Sequence, residues 1–250
     1  TLTWSKNDNK ILSLAEGADE NQVISTVGTA SIIGRVGGTT GDLWGYKLVR
    51  DPEGNVIIGD NGLPEQADEI EYVGTAYADW KAGWYNEFSY KGFKLGILLD
   101  GQVGGTIYSM SFHKMMEQGK LTQSLNGRLP GTEYYMDAND PRIAAAGYTP
   151  QSGMYMIAPG VVRNDDGTFS PNTKVVTIES FYKEYYRRAN VETNSFDASF
   201  LKIREIRLEY ELPKKVLEKS PFSKASIAVY GRNLWCFTDY PLFDPESVAL

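Results

Sequence analysis

Cysteine and histidine are nearly missing from this 250-residue chain, with Cys236 and His113 the only examples of each. One thiol cannot close an intrachain disulfide, and one Cys with one His cannot furnish a four-ligand zinc site. A nucleophile triad needs a base, and His113 has no fixed carboxylate partner in the sequence. Long apolar runs are missing too: no stretch of about 18 residues would make a transmembrane helix. Thr1 opens no signal peptide, because neither a charged n-region nor an apolar h-region follows it. Clustered positive charge is also lacking. The formal net charge is -7, and the basic residues are scattered. Lys214, Lys215 and Lys219 around Glu218 read as a solvated turn. Nucleic acid is therefore excluded as a main partner, since phosphate binding needs a cationic face.

What the chain does have is aromatic surface and period-two patterning. Sixteen Tyr and five Trp would suit either the aromatic girdles of a membrane barrel or the stacking platforms of a sugar-binding protein. Ile206, Leu208, Tyr210 and Leu212 alternate with Glu205, Arg207, Glu209 and Glu211, which predicts a strand apolar on one face and charged on the other. Phe93, Leu95, Ile97 and Leu99 give a similar pattern after an aromatic-rich Trp84–Tyr90 segment, and Lys91-Gly92 supplies a tight turn. A further strand is expected over Ala225–Tyr230. Between Met110 and Asn194 the pattern changes to turn-forming pairs such as Asn126-Gly127, Pro130-Gly131 and Asp140-Pro141. Short helices are expected there over Phe112–Gln118 and Ser180–Ala189. Such an excursion is far longer than an ordinary hairpin loop.

Three passages resemble the SusC/RagA family of TonB-dependent outer-membrane transporters. The first is Ala198–Glu246, where ASFLKIREIRLEYELP precedes ASIAVYGRNLWCFTDYPLFDPES. It is similar to that family's FLK(L/I)RE strand followed by a GRNL…DPE strand and loop. The second is Gly41–Gly62, GDLWGYKLVRDPEGNVIIGDNG, similar to a GYK segment with its Gly/Asp-rich insertion. The third is Tyr72–Ser109, similar to a D-W-x-x-G…N…YK-x-F pattern, with Ala78 where a proline is usual.

The resemblance implies an all-β fold: residues 1–250 as part of an antiparallel transmembrane β-barrel of about 22 strands, with a long extracellular loop over about 110–195. It implies that the plug domain and the last strand lie outside this piece. It further implies a Gram-negative, Bacteroidota-type outer-membrane location and uptake of an oligosaccharide or peptide. The partners implied are a SusD-like surface lipoprotein, TonB through the missing N-terminal part, and outer-membrane lipid. In that setting the aromatic Leu234–Phe243 stretch forms an interfacial belt and the Glu205–Glu211 charges wall a wet lumen. The alternative is a soluble all-β carbohydrate-binding module of a secreted protein, and a third reading is a β-sandwich hydrolase.

No residue pattern nominates a catalytic group, so no enzyme activity, cofactor or metal is expected. Asp51, Glu53, Asn55, Asp60 and Asp68 could face calcium through oxygen, but they fail the EF-hand template and read as a solvated loop. Cys236 reads as a small buried hydrophobe. Ligand-binding candidates are the long excursion's rings and neighbouring acids: Tyr134, Tyr135, Asp137, Asp140, Tyr148, Tyr155, Tyr182, Tyr185 and Tyr186. Rings can stack on sugar faces while the carboxylates accept hydroxyl hydrogen bonds.

Overall fold

The computed structural model describes residues 1–218, 220–242 and 244–247. Lys219 of the basic turn and Phe243 of the aromatic stretch lie outside the described residues. The chain divides into two compact units, one from residues 1–9, 75–107 and the described residues from 196 on, the other mainly from 10–74 and 108–195.

The first unit is a five-stranded antiparallel sheet in the order Leu2–Ser5, Trp80–Tyr90, Phe93–Val103, Phe200–Glu211, Ser226–Phe237. The expected hairpin is present: Tyr90 pairs with Phe93 around Lys91 (φ 46°) and Gly92 (φ 86°). Two successive positive φ values match the right-handed strand twist, and glycine takes the second without a Cβ penalty. Across the sheet Ile206 sits opposite Ile97, Leu208 opposite Leu95 and Tyr210 opposite Phe93, so the alternating apolar residues share one face. None of the seven apolar side chains at 93, 95, 97, 99, 206, 208 and 210 is fully buried.

Between Ile203 and Glu205 the register shifts against both neighbouring strands. Against Phe93–Val103 the extra residue is Arg204; on Ser226–Phe237 two residues, Asn233 and Leu234, stand opposite Arg204, and Asn233 takes a left-handed φ of 49°, a conformation asparagine tolerates. This β-bulge restores Ile203 to the apolar face although three residues, not two, separate it from Ile206.

The opposite face is ionic. Glu205 accepts from Arg232 Nε at 2.8 Å, and Arg207 pairs with Glu209 at 2.6 Å. Lys202 is buried at 1% exposure and donates to both Asp244 and Glu246. Arg204 bridges Asp100 at 2.6 Å and Glu246 at 2.7 Å. These charges bind one another and tie the 244–246 loop to the sheet. Tyr240, expected in an aromatic belt, is instead buried against Ile107 and Ala198.

The second unit holds a four-stranded sheet in the order Gln22–Val27, Ala30–Gly34, Asp42–Gly45, Glu71–Thr75. Its core joins Ala30 and Leu43 to Tyr108 and Val191, so the turn-rich excursion is packed against residues far upstream. The first helix is Met110–Glu117, two residues earlier than expected, because the Ser109 hydroxyl caps it by accepting from Phe112 N. The second is Ile178–Tyr185, capped by Thr177 through Ser180 N. It ends short of Ala189 because the Asn190 side chain bonds the carbonyls of Glu184 and Tyr185 at 2.9 and 3.0 Å. A shorter helix, Pro141–Ala145, starts on Asp140.

The all-β, closed transmembrane barrel segment expected from the sequence is therefore corrected. The structure is mixed α/β, and its sheets are open among the described residues. Period-two alternation reports that a strand has unlike faces; it carries no information on whether the sheet closes. The outer-membrane location, the lipid contact and the role as an outer-membrane importer of oligosaccharide or peptide rested on that closed barrel, and all three are withdrawn with it. The same holds for a charged lumen wall over Glu205–Glu211. No described helix is long and apolar enough to cross a membrane.

Candidate ligand-binding groove

A groove of about 610 Å³ lies in the second unit. The Met110–Glu117 helix contributes Lys114 and Glu117, with Gln118 at its end. The Ile178–Tyr185 helix contributes Ile178, Glu179 and Lys183, and Thr177 caps that helix beside them. Arg128 and Met154 complete the lining.

Spacing explains much of the groove's charge. Lys183 and Glu179 lie one helical turn apart and meet at 2.5 Å, while Lys114 and Glu117, three apart, meet at 2.9 Å. The hydrogen bond from Lys114 lowers the Glu117 carboxyl below its ordinary value, and Lys183 does the same for Glu179. Both acids therefore stay ionised at neutral pH, each matched by its own lysine. Arg128 differs. Its Nε donates to the Ser124 carbonyl at 3.0 Å, and among the described residues no carboxylate lies within ion-pair distance of it.

His113 sits behind this wall, fully buried. Its Nδ1 is 2.7 Å from the Tyr186 carbonyl, so that nitrogen donates. The Nε2 has no hydrogen-bond partner and stands 3.9 Å from a Glu117 oxygen. The carboxylate that the sequence does not reveal for His113 is thus one turn along the same helix.

The nine sequence candidates do not converge on the groove. Tyr182, Tyr185 and Tyr186 form an aromatic cluster, with Tyr182 and Tyr186 stacked at 6.0 Å and Tyr185 edge-on to Tyr186 at 4.8 Å. The Tyr182 hydroxyl is held by the Gln123 and Asn126 carbonyls, each at 3.0 Å. Burial pushes the phenols of Tyr134, Tyr182, Tyr185 and Tyr186 upward. These rings pack more than they present.

Tyr148 and Tyr155 pair elsewhere, at 4.8 Å, over a core of Met136, Ile143 and Val175. Tyr135 is half-buried and belongs to neither ring pair. Asp137 closes a turn by accepting from Asn139 N at 2.9 Å. Asp140 caps its helix, and its hydrogen bond with Arg142 draws its pKa down to about 2.

Among the described residues no three His, Cys, Asp or Glu side chains gather to hold a metal. In the acidic loop, Asp51 accepts from Asn55 N and Nδ2 at 2.8 and 2.9 Å, while Asp60 pairs with Lys174. Burial raises the Cys236 thiol, which disfavours the reactive thiolate.

Sequence reasoning misses Arg128, Lys114, Lys183, Glu117, Glu179 and Met154 because only folding brings them together. The local signals are the four-residue spacing of Glu179 and Lys183 and the three-residue spacing of Lys114 and Glu117.

No family model matches the chain. It is 24% identical over 270 residues to the TonB-dependent receptor P3 of Formosa agariphila, a match covering 98% of this chain and 23% of that protein. Among solved structures it is similar to the RagAB peptide transporter, with 13% identity and a TM-score of 0.57. It is also similar to the RagAB peptide importer in an open-open state, with 15% identity and a TM-score of 0.58. Both matches cover 98% of this chain and 24% of the other. The chain thus spans about a quarter of the length of these relatives. At such identity the likeness is one of fold. The resemblance to the barrel portion of the SusC/RagA family is accordingly corrected to a distant, partial similarity. The proteins it matches are a receptor and peptide importers.

Proposed function

We propose that the chain is the ligand-capture module of a transport-associated assembly, holding a short peptide in the groove of its second unit. The groove carries this reading. About 610 Å³ falls within the range of small-ligand sites and accommodates a few residues of extended chain. Lysines and glutamates at its rim suit a ligand with charge of both signs, and Met154 and Ile178 offer apolar contact. The similarity to peptide importers supports the same ligand class. A SusD-like surface lipoprotein is the partner that the sequence motifs suggest. The candidate rings and acids at 134–186 then support the groove and its loops more than they touch ligand.

A second reading, a carbohydrate-binding module, is favoured by the Tyr148–Tyr155 pair. Its two half-buried rings rest on an apolar cluster, as a sugar platform requires.

Isothermal titration of the full chain with the tetrapeptide Ala-Phe-Ala-Lys and with maltohexaose separates the two. Saturable heat with the tetrapeptide supports peptide capture. Heat only with maltohexaose, abolished by Tyr148→Ala, supports the second reading. No heat with either at millimolar concentration refutes both.

A further inference from the structure

We propose that Arg128 is a carboxylate anchor, so that the groove recognises a ligand through its free carboxyl end, in a peptide the C-terminus. The inference rests on the groove being the ligand site.

Three cations line the groove, and two of them are matched by an acid on their own helix. Arg128 is the third, half-buried, in a chain with 32 acidic and 25 basic residues. Glu179, already paired with Lys183, reaches Arg128 only through its longer-range field; a partly desolvated guanidinium with no carboxylate in hydrogen-bond contact is costly, and a ligand carboxylate would relieve that cost. The side chain is already oriented: its Nε is spent on the Ser124 carbonyl. The two terminal amino groups remain as an end-on fork matched to the two oxygens of a carboxylate.

The backbone under this fork is fixed from several sides. Gly127 N donates to Thr132 Oγ1 at 2.9 Å, and the Tyr182 hydroxyl holds the Asn126 carbonyl. Gly153, at φ 68°, approaches so closely that a Cβ there would lie 2.3 Å from the Arg128 carbonyl oxygen. Such rigidity lowers the ordering cost of binding.

The charge of the ligand follows from the lining. Three cations against Glu117 and Glu179 leave a net of one positive charge. A monoanionic carboxylate neutralises that balance, whereas a phosphate dianion would leave the groove with a net negative charge. A carboxylate can come from a peptide terminus or from a uronic acid sugar, and the experiment distinguishes them.

The test compares Ala-Phe-Ala as free acid with its C-terminal amide, and trigalacturonic acid with neutral maltotriose, by titration calorimetry. The proteins are the full chain and its Arg128→Gln and Arg128→Lys variants, each first shown by thermal melting to fold. The acid is expected to bind about 10- to 100-fold more tightly than the amide, as for a charged hydrogen-bonded pair. That ratio should fall to near one in Arg128→Gln and recover partly in Arg128→Lys. Equal binding of acid and amide overturns the anchor and leaves peptide capture standing. Arg128-dependent binding of trigalacturonic acid alone keeps the anchor and overturns the peptide reading. Binding of neither carboxylate at millimolar concentration overturns the anchor.

Discussion

Removing the buried Lys202 cation tests the ionic wiring of the first unit. In Lys202→Met the side chain keeps most of its volume, but Asp244 and Glu246 lose the ammonium that both accept from. Breaking a buried ion pair from one side costs about 3–5 kcal/mol. Two observations reduce that figure. The acids are about 40% exposed and regain part of their hydration, and Arg204 still holds Glu246 at 2.7 Å. The expected loss is about 2 kcal/mol, or a fall in melting temperature of about 4–8 °C for a chain of this size.

The effect should depend on pH. Burial raises the Asp244 and Glu246 carboxyls more than any other single cause, but the hydrogen bonds and charges of Lys202 and Arg204 together outweigh it, and both end below their ordinary values of 3.8 and 4.5. A depressed carboxyl contributes stability that is present above its unfolded pKa and lost as pH falls through the folded one. The penalty of Lys202→Met should therefore be full at pH 7 and shrink below about pH 4. Circular dichroism melts at pH 7 and pH 3.5 measure both quantities. A variant that melts within about 1 °C of the parent at pH 7, or loses as much at pH 3.5, would refute the reasoning.

Three further outcomes are expected. Asn190→Ala removes the side-chain donor to the Glu184 and Tyr185 carbonyls, of which Tyr185 keeps the Thr193 hydroxyl, and takes from the Gln66 amide the oxygen it donates to at 2.6 Å. Urea denaturation should show a loss of roughly 1–3 kcal/mol. Gly153→Ala forces either the Arg128 carbonyl or its own left-handed backbone to move, at about 1–3 kcal/mol; calorimetry should show acid-over-amide preference falling with it. In the parent, Asp244 and Glu246 should make the first unit lose stability progressively below about pH 4, followed by tryptophan fluorescence.

The strands are legible because side-chain direction alternates with every residue: Ile206, Leu208 and Tyr210 face the partners that their pattern implies. The bulge at Arg204 is not, since it places Ile203 on the apolar face in violation of strict alternation. Closure is equally silent in the pattern, and so the barrel expectation does not survive the open sheet. Residues 110–195 look like loop because their turn pairs are local signals. Their order comes from contacts such as Tyr108 and Val191 with Ala30 and Leu43, which no window of sequence displays. Ser109 and Thr177 are legible caps that mark both helix starts. The groove is the least legible part: Arg128 matters because of the partner it lacks, a property of the folded neighbourhood alone.

The most direct test of peptide capture is amide hydrogen exchange on the full chain, with and without saturating Ala-Phe-Ala. The account predicts slowed exchange at residues 114–128, 153–154 and 177–183, with the first unit's sheet unchanged. Protection absent there, or confined to the sheet or to the Tyr148–Tyr155 surface, would contradict it.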